Sequence, residues 1–230
     1  MPKDVGLEEL LRLVGEGAQV VEVLPRHEYD EEHVPGAINI PLKTLNDATA
    51  AQLDTNRPVV VYCWDYLRDM SPRAAWQLEA MGFGDVSDFV DGKIEWISHG
   101  LPLEGTGPHF AVAGEIADRD AVLACRIGDR LGDVAQALDT VPHDYCVVLN
   151  DHDIVLGRMR KRNLHGPDHT AVQHVMDPGP TTVRATEPAK GLLERMRNKK
   201  VPAVIVTTNK GRLMGTVTQD ALDRLLSSRH

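Results

Sequence analysis

The second half of the chain repeats itself, and few folds accommodate that. At an offset of 58 residues, Leu131, Val134, Ala135 and Leu138 align with Ala189, Leu192, Leu193 and Met196 without a gap. Each set has the i, i+3, i+4, i+7 spacing of one apolar helical face. Tyr145-Cys146-Val147-Val148-Leu149-Asn150 aligns with Ala203-Val204-Ile205-Val206-Thr207-Thr208, and both read as short buried strands. A turn follows in each copy, Asp151-His152-Asp153 and Asn209-Lys210-Gly211, and then a returning strand, Ile154–Gly157 and Arg212–Gly215. Each unit therefore reads strand, helix, strand, turn, strand, helix. One such unit is too small to bury its own core, whereas two can close their sheets against each other. The repeats are expected over about 112–168 and 170–228.

Charge separates the two halves. Residues 1–106 carry 8 Lys/Arg and 19 Asp/Glu, a net of −11, and residues 107–230 carry 17 and 15, a net of +2. Two domains, 1–106 and 107–230, follow from this shift, with Gly105-Thr106-Gly107-Pro108-His109 as the linker between them. An acidic first half would repel phosphates, so nucleic acid is not expected as a partner. Apolar runs fall short of the roughly 20 residues that cross a bilayer, and the start lacks a signal-peptide pattern; no membrane is expected, and a cytoplasmic setting is. Three cysteines, Cys63, Cys125 and Cys146, include no Cys-x-x-Cys pair, so three free thiols are expected. Cys125 and Cys146 fall in apolar strand segments and read as packing residues.

In the first half, Pro58-Val59-Val60-Val61-Tyr62 is apolar on both faces, as in the middle of a parallel sheet, and it ends at Cys63. Helical and strand patterns alternate around it, so the class is α/β. The loop Trp64, Asp65, Tyr66, Leu67, Arg68, Asp69, Met70 leads to Ser71-Pro72, which predicts a helix with Ser71 at its cap. Ligands bind at the carboxyl edge of such sheets. Loop N–H groups and a helix N-terminus there favour an anion, and hence the reactive thiolate.

His33-Val34-Pro35-Gly36-Ala37, Tyr62-Cys63, Arg73-Ala74-Ala75, Met81-Gly82-Phe83 and Gly92-Lys93-Ile94-Glu95-Trp96 occur in order, and residues 5–104 with them resemble a rhodanese domain. The repeated half, with Val175-Met176-Asp177-Pro178 and Gly215-Thr216-Val217-Thr218-Gln219-Asp220, resembles a tandem pair of CBS repeats over 112–228. The resemblance implies a parallel sheet flanked by helices followed by two α/β repeats. It implies Cys63 as the nucleophile that takes a sulfane sulfur from a small donor as a persulfide and passes it to a thiol acceptor. No metal or organic cofactor is needed for that chemistry. For the repeated half it implies a homodimer through amphipathic helices near Leu131–Leu138 and Ala189–Met196 and those following Gly157 and Gly215.

The sequence departs from these patterns at named places. Arg68 stands five residues after Cys63 but Ser71 stands eight after it, so the loop is two residues longer than usual and Met70 takes the usual arginine position. Leu24 stands where many rhodaneses carry arginine. Asp65 and Asp69 near a thiolate raise its pKa and repel thiosulfate. They also disfavour a phosphatase or arsenate reductase reading of the wide loop. Arg68 binds a substrate anion or pairs with Asp65 or Asp69. In nucleotide-binding CBS pairs a Gly-x-x-Thr-x-x-Asp stretch holds a ribose; here the first copy has Arg160 and Asn163 at those positions, and the second has Thr218 with Asp220 one residue early. Arg160, Thr218 and Asp220 are the candidate ligand residues, with an adenine nucleotide bound weakly if at all. His165, His169 and His174 straddle Gly166-Pro167 and form no metal set. The expected function is a sulfurtransferase or persulfide carrier with a regulatory and dimerisation module. The alternative is an inactive sensor or scaffold that binds a nucleotide or sulfane sulfur.

Overall fold

Five short strands, none longer than four residues, line up in parallel and set the architecture of the first unit. They are β1 (Lys3–Val5), β2 (Gln19–Glu22), β3 (Ile38–Asn39), β4 (Val59–Tyr62) and β5 (Val86–Phe89), in the order β1-β5-β4-β2-β3. All neighbouring pairs are parallel. The apolar run ending at Cys63 is central, and all four residues of β4 are fully buried. A strand covered on both faces has no use for alternation, which is why it reads as a continuous apolar run. Helices α1 (Leu7–Gly15), α2 (Arg26–Glu31), α3 (Asp47–Ala50), α4 (Met70–Ala80) and α5 (Gly92–Ser98) cross between the strands. Val59 and Val61 pack with Ala74, Ala75 and Leu78 of α4 on one side of the sheet. Val60 and Tyr62 pack with Leu10, Leu13 and Trp96 on the other. The period of two sends successive side chains of β4 into separate cores.

The computed structural model describes residues 1–107, 109–141 and 144–228 and divides into compact units Met1–Phe110 and Ala111–His230. Pro108, inside the expected linker, lies outside the described residues.

The second unit holds both repeats. The first runs β6 (Ala124–Arg126), α6 (Leu131–Asp139), β7 (Tyr145–Leu149) and β8 (Val155–Arg160), with β9 (Asp177–Pro178) added at the sheet edge. The second runs β10 (Thr182–Arg184), α7 (Ala189–Asn198), β11 (Ala203–Thr207), β12 (Leu213–Thr218) and α8 (Gln219–Ser227). The pairing is parallel and then antiparallel in each, with register shifts at the equivalent places Val148/Leu149 and Val206/Thr207. The halves meet about an approximate two-fold axis at the equivalent residues Ile154 and Arg212, which bridge each other. Val155 N donates to Gly211 O and Leu213 N to Asp153 O across it. Val147, Leu149, Ile205 and Leu213 close the shared core. Each repeat also lends a segment to its twin: Ala113 enters the second core and Val172 the first.

One expected element is different. The helix after Gly157 is a single 3-10 turn, Lys161–Asn163. Asn163 accepts from Arg160 N and donates to Val175 O and Asp177, so the chain turns back to form β9 where a helix would have continued. Its counterpart α8 is nine residues long. Among the described residues no helix is long and apolar enough to cross a membrane.

Candidate functional site

The central strand delivers Cys63 to the carboxyl edge of the sheet, and two helix starts then fix it. At the first turn of α5, Lys93 N donates to Cys63 O at 2.9 Å and Ile94 N to Trp64 O at 3.0 Å. Gly92 makes this approach possible: its φ is +70°, and a Cβ there would lie 2.7 Å from Trp64 C. From α4, Ser71 Oγ lies 3.3 Å from Cys63 Sγ. The helix begins at Met70, with Asp69 before it, so Ser71 is not the cap residue. It sits in the first turn and points its hydroxyl inward, buried with the thiol.

The loop has the opposite polarity from the one expected. Two of its N–H groups are held by a side chain of the loop itself. Those of Leu67 and Arg68 end on Asp65 Oδ1 at 3.0 and 3.1 Å. The carbonyl oxygens of Asp65 and Arg68 face Sγ instead, at 3.5 and 3.6 Å. An aspartate bonding N–H groups two and three residues on is a familiar turn device, and here it engages two of the loop's donors. Arg68 pairs with neither Asp65 nor Asp69; its guanidinium reaches Glu28 at 3.2 Å. Asp69 lies near Arg73 at 3.7 Å. Tyr66, Leu67, Arg68 and Asp69 are exposed while Trp64, Asp65 and Met70 are half-buried, and Cys63 itself is only 1% exposed. The loop is a cover, and the thiol lies under it.

A charged network supports this cover, and its central residue escaped the sequence reading. Lys93 Nζ, fully buried, bonds Glu22 Oε1 at 3.1 Å and Glu32 O at 2.5 Å, and lies 5.5 Å from the Trp64 ring centroid. Tyr62 Oη donates to Glu22 Oε2 at 2.5 Å and accepts from Val34 N. Burial raises the Glu22 carboxyl, against the pull of Lys93. His33 stacks on Tyr29 and bonds its carbonyl at 2.7 Å, a supporting role for the turn before Pro35. On the α4 side of the sheet, burial pushes the Asp88 carboxyl up to about 6, offset in part by the Ser71 hydroxyl.

In the second unit the candidate ligand residues separate. Thr218 and Asp220 line an open cavity of about 560 Å³ with Arg197, Lys200, Pro202 and Gln219, and Arg160 is not among them. Arg160 is the two-fold equivalent of Thr218, so it belongs to the other half. The Thr218 hydroxyl caps α8 by accepting from Ala221 N. A second cavity of about 540 Å³, lined in part by Tyr145, Arg158, Arg195 and Lys199, gathers cations from both repeats. Cys125 and Cys146 are buried as expected, but their sulfurs lie 3.2 Å apart. That shared hydrogen bond and burial raise the Cys125 thiol.

Comparison with known proteins gives matches of both kinds. A rhodanese-like domain model matches residues 6–99 and a CBS domain model matches residues 172–228. The chain is 39% identical over 101 residues to the HTH-type transcriptional regulator Rv0324 of Mycobacterium tuberculosis, covering 44% of each protein. It therefore spans less than half the length of that relative. It is 33% identical over 89 residues to protein YqhL of Bacillus subtilis, covering 39% of this chain and 68% of the other. The CBS domains of a transcriptional regulator from Streptococcus pneumoniae align with 50% of this chain and 99% of theirs, at 18% identity and a TM-score of 0.43.

Proposed function

We propose, from the premise that the chain belongs to the rhodanese-like family and carries CBS domains, that Cys63 accepts a sulfane sulfur and hands it to a thiol. The observation that carries this reading is the thiol at the carboxyl end of β4 with the Ser71 hydroxyl against it. The loop over residues 64–70 must swing aside for a donor to enter. The sulfur of Cys63, as thiolate, then attacks the outer sulfur of the donor. A new S–S bond forms while the donor's S–S bond breaks, and the electron pair leaves with the remnant, sulfite from thiosulfate or a thiolate from a persulfide. An acceptor thiolate attacks the sulfur carried on Cys63 and restores the enzyme. The step calls for neither metal nor organic cofactor. A reducing, cytoplasmic setting suits a chain with free thiols.

A second reading draws on the cover over Cys63. A thiol 1% exposed, whose loop N–H groups are held by Asp65, suits slow loading and sensing as well as turnover. The similarity to a protein named as a transcriptional regulator points the same way. Intact-mass analysis after treatment with thiosulfate or a small persulfide tests both. The expected result is the gain of one sulfur atom on Cys63 and no gain in Cys63→Ser. Many sulfurs delivered per chain to an added thiol supports the transferase; one per chain supports the sensor. Sulfur on Cys125 or Cys146 alone, or on no cysteine, rejects both.

For the second unit the reading is dimerisation through α6, α7 and α8, which light scattering on residues 111–230 would show. Adenine nucleotides should bind weakly, because the Thr218 hydroxyl is engaged and no carboxylate stands at the expected ribose position. A missing charged acceptor lowers affinity roughly tenfold to a hundredfold.

A further inference from the structure

The segment that leaves the first unit runs back along α2 to the start of the Cys63 cover. Glu104 and His33 exchange backbone hydrogen bonds, His33 N to Glu104 O at 2.7 Å and Glu104 N to His33 O at 3.0 Å. Thr106 N then donates to Asp30 O and Gly107 N to Glu31 O, both at 2.9 Å. Gly105 has φ of +137°, and a Cβ on it would collide with the Glu31 carbonyl. The strap ends at Phe110, still within the first unit. Its N–H donates to Glu32 Oε2 at 3.3 Å, and its ring makes a T-shaped contact with Trp64, with centroids 5.4 Å apart and planes at 78°. Glu32 is buried and used at both ends. Its carboxylate also lies 3.4 Å from His109 Nδ1, and its carbonyl accepts from Lys93 Nζ, which is itself 5.5 Å from the Trp64 ring centroid. The Trp64 ring thus has Lys93 and Phe110 as neighbours, and one buried residue fixes both.

We infer that Phe110 is a positioning residue that keeps the cover over Cys63 shut by holding Trp64. Trp64 follows Cys63 directly, and its side chain packs on the apolar cluster that encloses the thiol. Its carbonyl is pinned by Ile94 N, so opening the cover is a movement of the indole and of the residues after it. The ion pairs of those later residues, Arg68 with Glu28 and Asp69 with Arg73, lie at the surface, where such pairs contribute little. An aromatic pair in T-shaped geometry adds attraction beyond the area it buries. The contact with Phe110 therefore opposes opening from outside the loop, at a residue that touches neither sulfur nor substrate. A segment that reads in the sequence as a bare linker becomes part of the site. The inference rests on the reading of Cys63 as the reacting thiol and adds what controls access to it.

Alkylation by iodoacetamide in the full chain, followed by peptide mass spectrometry, reads access to Cys63 with no sulfur donor present. A failure of sulfur transfer is therefore seen separately. Phe110→Ala should speed labelling of Cys63 roughly two- to tenfold, the change expected from the loss of one aromatic pair. Phe110→Tyr keeps the ring and should restore the original rate. Access changes and ionisation does not, so the gain should be equal at every pH between about 6 and 9, with the midpoint of the profile unmoved. In a Trp64→Ala background Phe110→Ala should add nothing. Cys125 and Cys146 should label as before in every variant. The inference is overturned by a Cys63 rate that Phe110→Ala leaves unchanged, or by a gain that Phe110→Tyr fails to reverse. It is equally overturned by a gain that survives without the Trp64 ring, by a shifted midpoint, by equal gains at all three cysteines, or by a Cys63 that stays unlabelled throughout.

Discussion

The N–H groups of Leu67 and Arg68 end on Asp65, so an anionic donor approaching Cys63 meets a negative side chain where it needs hydrogen-bond donors. Replacing Asp65 and Asp69 by Asn keeps an oxygen for the loop turn and removes two charges. Sulfur transfer from thiosulfate should then quicken by roughly three- to tenfold at low salt. The gain should shrink with added salt and be small for a weakly charged persulfide. Mass spectrometry over time checks this, and equal rates at low salt would count against it. Asp88 yields a stability expectation of definite sign. Its pKa is raised from 3.8 to about 6, so the folded chain binds this proton more tightly than the unfolded one. The resulting stability is whole below the unfolded value and is lost as pH climbs through the folded value. Asp88→Asn should raise the unfolding free energy by about 1–3 kcal/mol at about pH 8 and change little near pH 4, as measured by urea unfolding. The place of Cys63 was legible from the apolar run before it. Its cover was not, because that depends on where the Asp65 carboxylate turns. Lys93 was illegible for a similar reason: a lysine is ordinarily exposed, and its partner Glu22 is 71 residues away.

Helix α5 illustrates how one backbone position holds an element against the site. Gly92 has φ of +70°, and a Cβ would come 2.7 Å from Trp64 C and O and 2.8 Å from Asp65 N. These are backbone atoms of the loop, so no side chain can swing away. Gly92→Ala should cost about 2–4 kcal/mol in urea unfolding, from left-handed strain and the collision together. Restored stability in that variant would show that the loop shifts freely. Among the repeated elements, the strands and α6, α7 and α8 follow the apolar spacing seen in the sequence. The missing helix of the first repeat left a trace, since Asn163 and Gly166-Pro167 interrupt it. Alignment to the intact copy hid that trace: the equivalent residues of the second copy form α8, whose Thr218 cap has Arg160 as its counterpart.

At the scale of the molecule each unit closes its own cores, one pair around the parallel sheet and three in the repeated half. The charge shift seen in the sequence, −11 before residue 107 and +2 after it, falls close to the division at Phe110. The repeated half joins two copies about Ile154 and Arg212, yet one copy ends in a nine-residue helix and the other in a three-residue turn. Duplication ordinarily supplies matched recesses, which fill in pairs and can influence one another. Here the recess formed by Thr218, Asp220 and Arg197 has an unlike counterpart, since Arg160 stands at the place equivalent to the capping hydroxyl. A ligand of that recess should therefore titrate with a stoichiometry of one per chain, along a simple hyperbola, and any sigmoid in the curve would have to arise between chains.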